Sequence, residues 1–341
     1  MKTRDFHYDL PEGRIAQQPA KKRDASRLMV LHRDAKRTEH RRFSDILEYF
    51  VPGDALVINT TRVMPARLFG RRADTGGRAE VLLTRPLDGD TWEALARPAK
   101  RLKTGAALDF GAGLTATVVR ELGAGLRVLR FMCGNTSVHD AIESLGRLPL
   151  PPYIKEKPRD EGRYQTVYAR QTGSSAAPTA GLHFTPELLK GARAKGVKIL
   201  PVLLHVGLGT FRPVQTERVE DHRMHEEYYE VPQKTAEAVN KTRANGGRVI
   251  AVGTTTVRTL ETAAGADGTV RPESGATDIF ITPGYSFRAV DALLTNFHLP
   301  MSTLLMLVCA FYTREDILRA YAEAVKEGYR FFSFGDAMLI L

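Results

Sequence analysis

Cysteine is scarce. Only Cys133 and Cys309 occur among 341 residues, far apart and each within an apolar run. That excludes a disulfide framework and a cysteine-rich zinc site, and implies a reducing compartment. Apolar surroundings also favour inert thiols over nucleophilic ones. Long hydrophobic runs are missing too. The longest, Leu304 to Phe311, is far too short to span a bilayer. The chain opens with Lys2, Arg4 and Asp5, so no secretory signal is expected and the expected location is the cytoplasm. No internal repeat or low-complexity tract is present, and no obligate protein partner or membrane contact is evident.

Several catalytic signatures are absent as well. No Gly-x-Ser-x-Gly elbow surrounds Ser174-Ser175 or Ser302-Thr303, so neither pair reads as a nucleophile. The run His205-Val206-Gly207-Leu208-Gly209-Thr210 lacks the spacing of a dinucleotide fingerprint. His222 and His225 are three apart, and Asp221 and His225 four apart, so a helix would put them on one face with Glu226 nearby. The familiar helical zinc motif instead places two histidines four apart around a glutamate. No metal is therefore expected. Structural roles, acid–base chemistry and substrate contact remain open for these histidines.

Positive charge is in excess. The formal net charge is +10, in a chain of otherwise ordinary globular composition. Such a balance raises the local concentration of a polyanion and supplies affinity through counterion release. Arg67, Arg71, Arg72, Arg78, Arg97, Lys100, Arg101 and Lys103 lie between residues 67 and 103, with Trp92 among them. Either they form an RNA-binding surface on which Trp92 stacks a base, or they are solvated strand faces with Trp92 in the core.

The chain changes texture twice. Residues 1–65 read as the start of an α/β domain, with a short helix at Ser44 to Phe50 and a strand at Ala55 to Asn59. From 66 to 148 short strands alternate with glycine turns: Arg67 to Arg71, Ala79 to Arg85, Trp92 to Arg97, Leu114 to Arg120 and Leu126 to Phe131. That texture predicts a small antiparallel β-barrel. From 149 to 341 helices and strands alternate again. Thr185-Pro186-Glu187 starts a helix ending near Gly196, followed by a buried strand from Val197 to Val206. A helix runs from Pro232 to Gly246, and strands occupy Val249 to Val252 and Thr277 to Ile281. Pro300 opens an apolar helix to Tyr312. Thr313 caps another, with Ile317, Tyr321 and Val325 on one face. The expected fold class is α/β, a layered domain with a mixed sheet (1–65 and 149–341) plus an inserted barrel (66–148).

Strand ends followed by glycine and hydroxyl residues are where open α/β sheets bind ligands. Val249 to Val252 followed by Gly253-Thr254-Thr255-Thr256 fits, since N–H groups at a helix start can meet a carboxylate or another anion. His205 ends the preceding strand in the same manner. Around these lie the blocks Ala177-Pro178-Thr179-Ala180-Gly181-Leu182-His183-Phe184-Thr185 and Glu220-Asp221-His222-Arg223-Met224-His225-Glu226-Glu227. Small residues and titratable groups gathered in this way describe an active site.

These blocks resemble those of the S-adenosylmethionine:tRNA ribosyltransferase-isomerase family of queuosine biosynthesis. So do Asn59-Thr60-Thr61-Arg62-Val63 with Pro65-Ala66-Arg67-Leu68, and Leu148-Pro149-Leu150-Pro151-Pro152-Tyr153-Ile154. Tyr164-Gln165-Thr166-Val167-Tyr168, Val252-Gly253-Thr254-Thr255-Thr256-Val257-Arg258 and Thr295-Asn296-Phe297-His298-Leu299-Pro300 follow in family order, then Tyr329 to Met338. The segment from Arg71 to Gly77 and the short end at Leu341 depart from the pattern. The resemblance implies a tRNA-modifying enzyme that consumes S-adenosylmethionine as a ribosyl donor, with no cofactor. It acts on 7-aminomethyl-7-deazaguanine at the anticodon wobble position and yields epoxyqueuosine in tRNA, adenine and methionine. The implied catalytic residues are His183, His205, Asp221, His222, His225 and Glu226. Substrate contacts are expected from Thr179, Gly181, Gly207, Gly209, Thr210, Gly253, Thr254, Thr255, Arg258, Asn296 and His298. The expected tRNA contacts are Arg62, Arg67, Arg71, Arg72 and Arg101. The other classes open to the chain are a tRNA-binding module with structural histidines and a metal-dependent nucleic-acid hydrolase.

Overall fold

A computed structural model describes residues 1–134, 136–151, 153–156, 160–207 and 214–341. The expected substrate contacts Gly209 and Thr210 lie outside the described residues. The chain divides into two compact units, one of Met1–Arg62, Pro152–Gln171 and Ala177–Leu341, the other of Val63–Pro151 with Thr172–Ala176.

The first unit is α/β. Its sheet has nine strands: β1 (Arg27–His32), β2 (Arg37–Arg42), β3 (Ala55–Asn59), β4 (Lys198–Leu204), β5 (Glu227–Val231), β6 (Val249–Val252), β7 (Glu273–Thr277), β8 (Ala292–Asn296) and β9 (Ala337–Ile340). Their order is β7-β5-β4-β3-β6-β8-β9-β1-β2. Strands β4, β3, β6 and β8 are mutually parallel. Strands β3, β6, β8 and β9 are buried at every residue, as expected of apolar strands covered on both faces. The edge strand β2 reads RTEHRR and is mostly exposed, and its charges discourage further pairing.

The buried carboxylate of Asp54 holds the amino end of the sheet together. It accepts hydrogen bonds from Val51 N (2.9 Å) and from Arg248 Nε (3.1 Å) and Nη2 (2.7 Å). Its own carbonyl receives Lys198 N, and Ala55 N donates to the Arg248 carbonyl. One residue thereby aligns the starts of β3, β4 and β6.

The helices start where the sequence places their caps. Thr185 accepts from Leu188 N ahead of Pro186–Ala194, and Thr313 from Asp316 N ahead of Arg314–Lys326. Other expectations need correction. Phe43–Tyr49 is a 3-10 helix, with Phe43 and Ile46 buried three residues apart, a spacing that three residues per turn satisfies. The strand expected over Thr277 to Ile281 ends at Thr277, whose hydroxyl accepts from Ile279 N and closes the ladder. The apolar helix begins at Thr303 because Ser302, not Pro300, caps it. On Arg314–Lys326 the buried face is Ile317, Ala320, Tyr321 and Ala324, with Val325 at its margin. Residues 222–226 are not helical: a short 3-10 turn ends at Asp221.

The second unit is a closed six-stranded antiparallel barrel. Its order is Leu126–Cys133, Thr91–Arg97, Arg78–Pro86, Arg67–Arg72, Ala107–Gly111 and Leu114–Gly123. Side chains alternate in and out, most clearly in Ala107–Gly111 and in the first half of Leu114–Gly123. The strand Ala107–Gly111 has no counterpart in the sequence reading: Leu108 and Phe110 alternate inward, but five residues ended by glycine are a short run. Gly70 permits the approach of its neighbour, since a Cβ there would lie 2.6 Å from the Asp109 carbonyl oxygen. A buried arginine, Arg127, holds the Ala99–Leu102 turn by donating to the carbonyls of Leu102 and Ala99, both at 2.6 Å. Trp92 packs against the barrel core, which favours the core reading over base stacking.

Replacing Asp54 by Ala should destabilise the α/β unit by about 3 kcal/mol, because Arg248 and the amide of Val51 lose their common acceptor. Equilibrium unfolding in urea measures this. A loss under about 1 kcal/mol would show that water replaces the carboxylate without cost.

Candidate active site at the carboxyl edge of the sheet

The four parallel strands end at one edge, where Asn59 pairs with Val202 and Val252 with Ile58 and Leu294, so Leu204 and Asn296 reach two residues beyond those neighbours. The antiparallel strands β5 and β9 begin there, with Glu227 and Ala337. As β3 and β4 end, the amide of Asn59 takes over from the backbone ladder. Its Nδ2 donates to the Leu204 carbonyl (2.9 Å) and to Thr255 Oγ1 (3.2 Å), and its Oδ1 accepts from Leu204 N and Thr61 N, both at 3.1 Å.

His205 follows directly. Its Nδ1 lies 2.8 Å from Thr61 Oγ1, and its ring stacks on Tyr228 with centroids 5.9 Å apart. It is partly exposed, and burial holds its pKa below the ordinary histidine value. When Nδ1–H donates to Thr61, Nε2 keeps a lone pair, as a base requires. The next turn is held by Glu227, whose Oε1 accepts from Gly207 N at 2.7 Å. Its other oxygen pairs with Arg258 Nη1, and both side chains are buried. Arg258 also donates from Nε to the Ile279 carbonyl. Arg258 comes from the helix Thr254–Ala263, which starts after Gly253 (φ 88°), a conformation that suits glycine. The amides of Thr254 and Thr255 stand at the positive end of that helix, and both residues are buried.

Across the edge, Thr179–His183 forms a 3-10 turn against β8. Thr179 Oγ1 donates to Asn296 Oδ1 at 2.8 Å. Asn296 Nδ2 then faces His183 Nε2 at 3.1 Å, and His183 Nδ1 faces Ser26 Oγ at 2.7 Å. This chain implies the tautomer with hydrogen on Nδ1. Phe43 stacks on the ring. Burial pushes His183 down to about 4, opposed by nearby Asp336, so the imidazole is neutral at pH 7. Gly181 allows close packing: a Cβ would sit 2.0 Å from Tyr168 Oη.

The expected residues therefore fall into three groups. In the first, His205 and Thr255 are linked through Thr61 and Asn59, Gly207 and Arg258 through Glu227, and Gly253 and Thr254 open the helix that carries Thr255 and Arg258. Thr179, Gly181, His183 and Asn296 form a second, in which both ring nitrogens of His183 are engaged. His298 is fully buried, bonds Thr295 Oγ1 at 2.8 Å and is pushed down to about 3 by burial. Its backbone amide meets Tyr321 Oη, which marks a packing role.

Asp221, His225 and Glu226 form the third group and are exposed. His222 is partly buried against Phe280 at 5.3 Å, its pKa lowered by burial first and by His225 second. Among the described residues no cluster of three or more His, Cys, Asp or Glu has a metal-holding arrangement.

Four residues at the edge were not named as site residues from the sequence: Ser26, Asn59, Thr61 and Glu227. For Glu227 a signal exists. In Glu227–Val231 the period of two turns Glu227, Tyr229 and Val231 inward, which makes Glu227, not Glu226, the buried acid.

A family described as "Queuosine biosynthesis protein" matches residues 3–340. The S-adenosylmethionine:tRNA ribosyltransferase-isomerase of Moorella thermoacetica is 60% identical over 342 residues, covering 100% of each chain. That of Symbiobacterium thermophilum is 58% identical with the same coverage. A crystal structure of S-adenosylmethionine tRNA ribosyltransferase from Thermotoga maritima is 43% identical with a TM-score of 0.57, covering 99% of this chain and 100% of that one. Identity at this level over the whole length settles membership: the chain belongs to the queuosine biosynthesis family, with the S-adenosylmethionine:tRNA ribosyltransferase-isomerases.

Proposed function

We propose that this protein transfers and isomerises the ribosyl portion of S-adenosylmethionine onto 7-aminomethyl-7-deazaguanine at the wobble position of tRNA. The products are epoxyqueuosine in tRNA, adenine and methionine. Full-length similarity to enzymes of that name supports the reaction class. The observation that carries the site is His205, a partly exposed imidazole of lowered pKa held by Thr61 at the carboxyl edge.

The chemistry needs three things. The sulfonium acidifies the adjacent C5′ protons, so a neutral base can take one. Adenine leaves more readily when protonated. The substrate amine must be neutral to attack. A base of lowered pKa meets the first need, and we assign it to His205. His183 holds Asn296 and Ser26 in place as a neutral imidazole. Asp221, His222, His225 and Glu226 are assigned to contacts at the rim, where substrate can reach them.

No step demands a Lewis acid, and we propose that the enzyme needs neither metal nor cofactor. Full turnover after exhaustive chelation is the expected result. Stoichiometric zinc whose removal abolishes activity, and whose return restores it, would overturn that assignment.

We place the tRNA on arginines of the barrel and on Arg62, at its anticodon region. Arg71 and Arg101 are exposed, Arg67 pairs with Glu80 at 3.5 Å and Arg72 with Asp74. Among the described residues no helix is long and apolar enough to cross a membrane, and we expect a cytoplasmic enzyme.

Two measurements test this reading. Substituting His205 by Ala should slow single-turnover adenine release by about 10²-fold or more, with little change in thermal unfolding. In the wild type the rate should rise with pH along a limb centred below the ordinary histidine pKa, because protonating His205 removes the base. A wild-type rate in His205→Ala would overturn the assignment of His205 as the base. Separately, replacing Arg71, Arg72 and Arg101 together by Ala should weaken tRNA binding and flatten its salt dependence. An unchanged slope moves the tRNA elsewhere.

A further inference from the structure

A small cavity opens beside His183, away from His205. Arg23, Ser26, Arg163, His183, Ser333 and Gly335 are among its lining. It has two guanidinium groups and no acid among its lining residues. Arg23 spends Nη1 on the Leu182 carbonyl (3.0 Å) and Nη2 on that of Gly162 (3.3 Å). Arg163 donates from Nη1 to Lys21 O and from Nη2 to Ala20 O, which leaves its buried Nε without a partner. These bonds go to neutral carbonyls, so neither guanidinium is hydrogen-bonded to an acid there. Burial holds the Arg23 pKa below the ordinary arginine value, and Arg163 lowers it further, against opposing effects of Asp160 and Tyr168. The acid that acts on His183 is already committed: Asp336 accepts from Arg27 N, Arg330 N and Arg330 Nη2.

Two like charges in a partly buried pocket are costly, and an unmet buried donor adds to the cost. An oxyanion removes both penalties at once, because charge-assisted bonds from guanidinium to carboxylate or phosphate are strong. Ser26 and Ser333 line the same wall, the first donating to the Arg23 carbonyl (3.4 Å) and the second bonded to Tyr153 Oη.

We infer that this cavity is an oxyanion pocket that takes one carboxylate or phosphate oxygen of a substrate, with Arg163 Nε as its specific donor. The inference rests on the reading of S-adenosylmethionine and tRNA as substrates, since they supply the two sources: the methionyl carboxylate and a backbone phosphodiester. Ser26 links the pocket to His183 and so to Asn296, so filling it also steadies the turn at Thr179–His183.

The test compares the wild type with Arg163→Gln, which removes the charge, and Arg163→Lys, which restores it without the planar fork. Binding of S-adenosylmethionine and of its decarboxylated analogue is measured by calorimetry, and tRNA binding as a function of salt. If the pocket takes the carboxylate, wild type prefers the intact donor by about tenfold or more. That preference collapses in Arg163→Gln and partly returns in Arg163→Lys. If it takes a phosphate, the tRNA salt slope falls by about one in Arg163→Gln instead. Thermal unfolding with inorganic phosphate gives a readout independent of either substrate, so wild type that binds no donor sinks the proposed function without deciding the pocket. Arg163→Gln that stays folded and keeps the donor preference, the salt slope and the wild-type response to phosphate would overturn the inference.

Discussion

Asn59 is the constraint on which the site depends. The last registered pair between β3 and β4 is Asn59 with Val202. Beyond it the backbones turn apart, and buried polar groups there must find other partners. A single primary amide supplies them, with two donors and an acceptor able to take two bonds. It bonds both backbone groups of Leu204, the hydroxyl of Thr255 and the amide of Thr61. His205 follows Leu204 and meets the hydroxyl of Thr61, so the imidazole inherits its position from Asn59 on both sides. A carboxylate in that place would have no donors to offer Leu204 and Thr255.

Burial sorts the histidines by function. His183 and His298 lie deep, where a charged imidazole would lose its hydration, and both are held neutral. Both nitrogens of His183 and Nε2 of His298 are engaged by fixed neighbours, so these rings orient other groups. His205 is shifted in the same direction and keeps exposure. His225 is exposed, next to a His222 it repels. His183, His205, His222 and His225 lie within forty-odd residues yet occupy different dielectric settings, and among them only His205 combines access with a hydrogen-bonded partner.

The two units meet the excess of positive charge differently. In the barrel, closure removes sheet edges, and the alternation that fills the interior also turns charged side chains outward. Arg127 is the exception, buried to satisfy the carbonyls of a turn that has no ladder. In the α/β unit Arg248 and Arg258 are matched to buried acids, whereas Arg23 and Arg163 meet only carbonyls. A summed charge of +10 cannot distinguish these cases.

Much of this molecule can be read from its residues in order. Capping threonines, glycine-punctuated strands and the motif blocks determine the fold class, the barrel and the family, because each is a local signal with a local cause. Gly253 and the threonines after it could be placed at a strand end for the same reason. Strand β7 was misplaced by a few residues because a side-chain bond, from Ile279 N to Thr277, decides where it stops. The pairing of Asn59 with Leu204, of Ser26 with His183 and of Glu227 with Arg258 spans between 31 and 157 positions. No local pattern encodes such contacts. They exist only once parallel strands bring their carboxyl ends to one edge, and the same packing sets which histidine stays neutral and buried and which can reach a substrate. Sequence determined which groups are available to the chemistry. Tertiary structure decided which are solvated, which are paired and which face one another, since desolvation and charge pairing are properties of neighbours distant along the chain.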